Sequence, residues 1–297
     1  MRVTHLGFGK MAQAVIPHVV KAGHTVTVWN RSLVSAEKFA GLEVTVARTA
    51  AEAVAGCDIV FTLLLNDEAL TEVLYDGGVL DAIPAGAVHV SVSTISVKLA
   101  KRIAVEHARR GQRYVGAPVY GRPNVAAEGK LWTVVGGTAD AVESVRPLLE
   151  CYCRGMSVIG EEPWKAHMVK LMGNFMVVTM MAGLSEAMTA AELMGISRSS
   201  VVETINSGIF RSPVYEAYGS MMLNPPKEAS AKIDLGEKDL RLFRDAAATI
   251  GMKAHLAELM RDNFAEGIRS GLQEEDLAAG YYKQARSRYL REAGVEA

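Results

Sequence analysis

The sequence predicts an α/β domain, with a doubly wound and mostly parallel sheet, followed by an all-α domain joined to it by a long helix. Three observations predict this. Short β-branched runs alternate with helical stretches through the first half of the chain, the pattern of βαβ units. A glycine-rich turn stands between the first strand and the first helix. Beyond about residue 160 helical periodicity continues with no strand-like alternation of any length.

In order, residues 3–6 form the first strand, 10–21 the first helix with Gly23 as its stop, and 25–29 the second strand. Strands follow at 42–46, 59–64, 88–92, 113–116 and 133–135, and 97–110 is the clearest intervening helix. Residues 164–193 form one long helix, whose glycines at 173 and 183 are tolerated at some cost. Further helices occupy 198–207, 214–223, 236–250 and 254–271. The domains are therefore 1–162 and 163–297.

The 297 residues suffice for two ordinary domains, although a single large α/β barrel also reaches this size. A hydrophobic share of 49% with 22% charged residues supplies a sizeable core. A net charge of -1, with Lys and Arg scattered, argues against a nucleic-acid partner. The pairs Lys101-Arg102 and Arg109-Arg110 fit the solvated side of a helix. Cys57, Cys151 and Cys153 are too few for a disulfide framework and lack the histidine partners of a zinc site, so no metal is expected. No signal peptide is apparent, and the most apolar stretch, 175–184, ends at Glu186, well short of the roughly 20 residues of a membrane span. A cytoplasmic protein with no membrane partner is the expectation.

Gly7-x-Gly9-x-x-Ala12 follows the first strand directly and opens the first helix. In that position Gly7 permits the tight turn, Gly9 lets a pyrophosphate approach the backbone, and Ala12 is small enough for helix and strand to pack. The helix N-terminus then presents N–H donors and a positive dipole end to the phosphates. The 1–162 domain is accordingly a Rossmann domain binding a dinucleotide through Gly7, Phe8, Gly9, Lys10 and Met11. The end of the second strand chooses the cofactor. It reads Asn30-Arg31-Ser32, with no acid before Glu37 to hold a ribose 2′-hydroxyl. Arg31 offers a planar cation suited to a 2′-phosphate, with Ser32 and Lys38 as added donors, so NADP(H) is expected. The alternative is that Arg31 is a surface turn residue.

These residues and several later blocks resemble the β-hydroxyacid dehydrogenase family, which includes 3-hydroxyisobutyrate dehydrogenases and glyoxylate/succinic semialdehyde reductases, with imine reductases more distant. The resemblance covers nearly the whole chain. Leu6 to Met11 resembles the family's opening, and Lys21-Ala22-Gly23-His24 through Asn30-Arg31-Ser32 its second block. Leu64-Leu65 stands where a Leu-Pro lies beside the cofactor. Ser93 and Thr94 belong to a strand whose threonine lies near the nicotinamide ribose. Ala117-Pro118-Val119-Tyr120-Gly121 resembles the substrate loop, Lys170-Leu171-Met172-Gly173-Asn174 the catalytic helix, and Lys238-Asp239-Leu240 a late motif that closes over the site. The resemblance implies Lys170 as proton donor with Asn174 orienting the substrate oxygen. It also implies cofactor contacts from Leu64, Leu65, Thr94 and Lys238, and substrate contacts from Ser93, Tyr120, Gly121, Arg122 and Asp239. It implies a homodimer with intertwined C-terminal domains, and thus a substrate and dimerisation role for 163–297.

Apart from the resemblance, Lys170 and Asn174 are four apart, on one face of a helix, and a lysine beside an apolar cleft moves toward useful acid–base behaviour. Without the resemblance, the alternative of an exposed helix lysine is the usual one. His167, one turn earlier, is either a second proton carrier or, as favoured here, a packed bystander. Met168, Met172, Met176 and Met180 form a stripe, favoured as core or subunit-interface packing over a plastic pocket.

The substrate loop departs from the family. Gly116 stands where the family carries Asp, and Tyr120-Gly121-Arg122-Pro123 where it carries Ser-Gly-Gly. Pro123 removes a backbone donor. Either Arg122 takes over a carboxylate contact or it points to solvent. Gly173 and Trp164 also replace usual residues, which implies a reshaped pocket. The leading expectation is an NADP(H)-dependent dehydrogenase or reductase acting on an aldehyde, ketone or β-hydroxyacid. An imine reductase is the alternative, disfavoured because such enzymes carry Asp or Tyr at the lysine position. A non-catalytic NADP-binding module is disfavoured because Lys170, Asn174 and Lys238 are all present.

Overall fold

The runs Ile59–Thr62 and Val88–Ser91 are buried along their whole length. Strands are so buried at the centre of a parallel sheet covered by helices on both faces. Around them the computed structural model of the chain describes residues 1–32 and 42–295. It forms two compact units, Met1–Lys170 and Leu171–Ala297.

The first unit runs β1 (Arg2–Leu6), α1 (Lys10–Lys21), β2 (Thr25–Trp29), β3 (Val44–Val46), α2 (Ala50–Val54), β4 (Ile59–Thr62), α3 (Asp67–Thr71), α4 (Val79–Ala82) and β5 (Val88–Ser91). It continues with α5 (Val97–Arg109), β6 (Arg113–Gly116), β7 (Val119–Tyr120), α6 (Pro123–Ala127), β8 (Leu131–Gly136), α7 (Ala139–Glu150), β9 (Cys153–Gly160) and the start of α8 (Pro163–Leu193). Among the described residues the sheet order is β3-β2-β1-β4-β5-β6-β8-β7, with β9 beside β8. Strands β1 to β6 pair in parallel, and β8 runs antiparallel to β6 and β7. The chain therefore reverses direction across the sheet at β1, the doubly wound arrangement that the alternating pattern predicts.

The sheet's two faces carry separate cores. Ile59 and Phe61 of β4 join Ala12, Val15, Ile16 and Val19 of α1 and Val145, Leu148 and Leu149 of α7. Val60, between them in sequence, faces Val54, Leu80, Leu99 and Ile103 on the other side. That is the period-two alternation of a pleated strand, with apolar residues on both faces. Strands β7 and β9 escape the sequence reading. One is two residues long, and the other, Cys-Arg-Gly-Met-Ser-Val-Ile-Gly, is half exposed and lacks a clean apolar period.

The second unit continues α8 and adds α9 (Arg198–Ser207), α10 (Pro213–Leu223), α11 (Ile233–Ala248), α12 (His255–Arg269) and α13 (Leu277–Glu292). Helix α11 packs tightly on its neighbours at Gly236, where an added Cβ would stand 2.4 Å from Phe264 and 2.5 Å from Leu277. Phe264 meets the ring of Tyr281 edge-on at 4.8 Å. Arg286 of α13 grips Glu192 of α8 through two hydrogen bonds of 2.8 and 2.6 Å. Helix α13 was missed from sequence because, between Leu277 and Leu290 near its two ends, its buried residues are Ala278, Ala279, Gly280, Ala285, Gln284 and two tyrosines, which mark no clear apolar period.

Helix α8 is continuous for 31 residues. Its most apolar 18-residue window has a mean hydropathy of 1.4, which by length and composition alone is enough to cross a bilayer, a test that the core helix of a soluble protein also passes. The methionine stripe is not core of the single chain. Met172 and Met176 are 44% and 63% exposed, and Met168 and Met180 are half-buried.

Candidate active site

The sheet register gathers the predicted residues. Leu6 pairs with Trp29 and with Thr62, Thr62 with Ser91, and Ser91 with Gly116. The residues that follow these ends, Gly7, Asn30, Leu63, Val92 and Ala117, consequently form one row along the carboxyl edge. In open α/β sheets that edge, at the point where strand order reverses, is where ligands bind.

At the glycine turn, Gly7 has φ of +100°, and a Cβ there would stand 2.4 Å from the Leu63 carbonyl oxygen. Only glycine fits. Nothing lies within 4 Å of where a Cβ on Gly9 would be, so the backbone there is open to a ligand. Gly9 brings no capping side chain to α1, and the first turn carries no acid, which suits an anion. The Phe8 amide donates to Asn30 Oδ1 at 3.1 Å, and Asn30 Nδ2 donates to the Ser32 carbonyl and hydroxyl. Asn30 thus ties the glycine turn to the end of β2. Phe8 is buried in the core, Met11 packs against it and Lys10 is exposed.

Beside that turn lies a cavity of about 500 Å³, lined by Asn30, Arg31, Arg48, Thr49 and Glu72 among others. Arg31 makes a 3.3 Å ion pair with Glu72, both side chains largely exposed, and such a pair contributes little and yields readily to a stronger anion. Arg48 was missed from sequence. Its signal was available, because it lies two residues past the end of β3 and β3 is the neighbour of β2 in a doubly wound sheet. Lys38 lies outside the described residues. The open Gly9 backbone and a cavity with two arginines fit a dinucleotide.

At the ends of β4 and β5, the Leu64 amide donates to Ser93 Oγ at 2.8 Å, and that hydroxyl donates to the Thr62 carbonyl at 3.3 Å. Ser93 is buried, so its hydroxyl ties these two loops together rather than facing outward. Leu64 and Thr94 are half-buried and Leu65 is 65% exposed.

The start of α8 packs on the ends of β6 and β7. His167 is buried, with Nε2 3.3 Å from the Tyr114 hydroxyl. Its ring and the Pro163 carbonyl fill the space where Gly116 would carry a side chain, at 3.0 and 2.5 Å from an added Cβ. Burial pushes the His167 imidazole down to about 3, so it is neutral at ordinary pH. That supports the bystander reading. One turn later, Lys170 Nζ sits over the Tyr120 ring, 4.5 Å from its centroid. The Tyr120 hydroxyl donates to the Val169 carbonyl at 2.6 Å. Arg122 is half-buried and stands at the N-cap of α6, whose first residue is Pro123. Trp164 packs against the first unit's core and stacks under Lys101 Nζ at 4.4 Å.

Within the second unit, Asn174 Nδ2 donates to Asp239 Oδ2 at 2.5 Å. Asp239 is buried and ion-paired through Oδ1 with Lys238 at 3.1 Å. A carboxylate only accepts, so the Asn174 amide is held with its nitrogen toward Asp239. Asn174 and Lys170 stand one turn apart on α8. Burial raises the thiols of Cys57 to about 11 and Cys153 to about 12, which makes both poor nucleophiles.

Two family models match the chain, one to each part. The family model for the NAD binding domain of 6-phosphogluconate dehydrogenase matches residues 2–160. The model described as NAD-binding of NADP-dependent 3-hydroxyisobutyrate dehydrogenase matches residues 165–282. A doubly wound sheet with a glycine turn at its reversal point, followed by this helical unit, defines an NAD(P)-binding oxidoreductase. The chain belongs to the β-hydroxyacid dehydrogenase family. It is 35% identical over 281 residues to the Bacillus subtilis protein named "Uncharacterized oxidoreductase YfjR", covering 94% of this chain and 98% of that one. It is 27% identical to glyoxylate/succinic semialdehyde reductase 2 of Arabidopsis thaliana, covering 92% of this chain and 76% of the relative. The Salmonella typhimurium 3-hydroxyisobutyrate dehydrogenase structure shares the fold with a TM-score of 0.84 at 23% identity, over 95% of this chain and 99% of that one. Imine reductases share the fold more loosely, with TM-scores of 0.59 to 0.64.

Proposed function

We propose that the chain is an NADP(H)-dependent reductase of an aldehyde or ketone of the semialdehyde or β-hydroxyacid class, with Lys170 as the proton donor. The observation that carries this reading is the pairing of Lys170 with Asn174, one turn apart on α8, the second held by the buried Asp239. Asn174, its amide held by Asp239, stands where it orients a carbonyl oxygen beside Lys170. Lys170 gives a proton from Nζ to that oxygen as negative charge develops there, and the resulting amine regains a proton from solvent. When bound, the reduced nicotinamide supplies the hydride that reaches the carbonyl carbon. Residues 1–162 hold the dinucleotide through Gly7, Phe8, Gly9, Lys10 and Met11, with Leu64, Leu65 and Thr94 toward its nicotinamide end. Lys238 contributes from α11. On the substrate, Ser93 acts through its backbone, since its hydroxyl is engaged, and Gly121, Arg122 and Asp239 shape the remaining contacts.

Arg31 and Arg48, with the Ser32 hydroxyl, support NADP(H) over NAD(H). A 2′-phosphate displaces the exposed Glu72 from Arg31 and gains charge-assisted hydrogen bonds. Arg31→Ala is expected to lower kcat/KM with NADPH by about 10- to 100-fold while leaving the NADH value nearly unchanged. Equal losses with both cofactors would count against this choice.

The exposed Met172 and Met176 on α8 support a homodimer in which 163–297 supply the interface. Light scattering of the purified chain is expected to read twice the chain mass, and a monomer at micromolar concentration contradicts it. The substrate class is tested by following NADPH consumption against semialdehydes, ketoacids and cyclic imines. Turnover of the carbonyl compounds is the expected result, and turnover of cyclic imines alone replaces this reading with imine reduction.

A further inference from the structure

Tyr120 holds two contacts that together bear on one atom. Its hydroxyl donates to the Val169 carbonyl at 2.6 Å, and its ring face lies 4.5 Å from Lys170 Nζ. The two partners are consecutive residues of α8, so one side chain fixes both the helix turn that carries the lysine and the charge at the lysine's end. Tyr120 is itself held firmly. It pairs with Trp132 across the β7–β8 ladder. The next residue, Gly121, has φ of +132°, and an added Cβ there would stand 2.5 Å from Leu131. The chain therefore turns sharply away after Tyr120, leaving its ring directed at α8.

From this geometry we infer that Tyr120 is a positioning residue for the Lys170 ammonium, its ring holding the charged end and its hydroxyl holding the helix turn. The aromatic face is negative and attracts a cation placed over it. A free lysine side chain samples many rotamers, and confining its end shortens the search for a productive geometry. The assignment also removes Tyr120 from the substrate's carboxylate. Its hydroxyl hydrogen is committed to Val169, and its ring offers an anion nothing. A substrate entering beside it meets an aromatic wall and a fixed ammonium. The inference rests on the reading of Lys170 as proton donor.

The test has a spectroscopic and a kinetic arm. Reductive ¹³C-methylation of the full-length protein labels its lysines, and Lys170→Arg identifies the Lys170 signal by its disappearance. A methyl over an aromatic ring is shifted upfield, so that signal is expected to be displaced in the unaltered protein and in Tyr120→Phe, and to return to the ordinary lysine position in Tyr120→Leu. Kinetically, Tyr120→Leu is expected to lower kcat on the order of ten-fold with little change in KM. Tyr120→Phe, which keeps the ring, is expected to retain most of its turnover. The inference is overturned if the Lys170 signal is the same with and without the ring. It is also overturned if Tyr120→Phe loses as much kcat as Tyr120→Leu, or if the loss falls on KM alone, as for a substrate contact. Should Tyr120→Leu fail to fold, Tyr120→Met, unbranched and of similar reach, repeats the comparison against Tyr120→Phe. Lys170→Ala, run in parallel, separates the two readings. Full activity in that variant sinks the proton-donor role, whereas inactive Lys170→Ala beside unaffected Tyr120→Leu sinks only the role of the ring.

Discussion

Lys170→Ala is expected to reduce kcat by about 10²- to 10⁴-fold while leaving NADPH affinity close to its original value. The size follows from what the side chain supplies. Reduction of a carbonyl places negative charge on oxygen, and a positioned acid that neutralises it contributes within that range. Affinity for the cofactor is expected to be preserved because the residues proposed to hold it, the glycine turn, Asn30 and Arg31, belong to a different part of the first unit. Lys170→Arg keeps the charge over the Tyr120 ring but is a far weaker acid, so it is expected to be nearly as impaired as the alanine variant. Steady-state turnover and fluorescence titration with NADPH measure the two effects separately. Retained turnover in both variants contradicts the proton-donor role. A parallel loss of NADPH binding points to a folding defect instead.

Acid is expected to destabilise this protein well above the pH at which its carboxylates protonate. Four histidines are buried in the first unit: His5, His89, His107 and His167. His5 stacks on Phe61 with ring centroids 4.9 Å apart. His89 and His107 are joined by a 2.7 Å hydrogen bond, with Thr62 and Gln112 as their outer partners. Burial disfavours the charged form, lowering His5 to about 3, His107 to about 4 and His167 to about 3 from an ordinary 6.5, and His89 well below it. Between 6.5 and those values the unfolded chain binds protons that the folded chain refuses. Stability is therefore full above about 6.5 and falls as pH drops toward 3 or 4, by up to about 1.4 kcal/mol per pH unit for each histidine. At about pH 5 each contributes a loss of about 2 kcal/mol, and four such losses approach the net stability of an ordinary domain, about 5–15 kcal/mol. Urea midpoints measured at about pH 7.5 and pH 5 check this. A midpoint that does not move over that range refutes it, and His5→Leu is expected to reduce the slope.

Much of the fold was legible because its signals are local. The β1–α1–β2 unit follows from period-two apolar runs, a glycine turn and a helical stop at Gly23, all within thirty residues. The glycine turn, Asn30 and Lys170 each stood out by residue type and by position relative to an element. What stayed hidden depended on distant partners. Strand β9 is a strand only because β8 lies beside it. Helix α13 buries alanines and glycine, which mark no face until α11 and α12 close on it. Arg48 joined Arg31 in lining one cavity through the pairing of β2 with β3. Ser93, read from sequence as a substrate contact, has its hydroxyl occupied by Leu64 and Thr62, which no local pattern shows.

The sequence by itself determined that the chain carries a dinucleotide-binding α/β domain, a helical second part and a lysine–asparagine pair on one helix. These depend on backbone conformation and helical spacing, which a few neighbouring residues dictate. Only the tertiary structure decided which polar atoms are already engaged. It gave the Tyr120 ring to Lys170, the Asn174 amide to Asp239, and the space beside Gly116 to His167. Such assignments turn on distances of a few ångströms between residues tens of positions apart. Those distances are fixed by how strands register and helices pack, and no short stretch of sequence contains them.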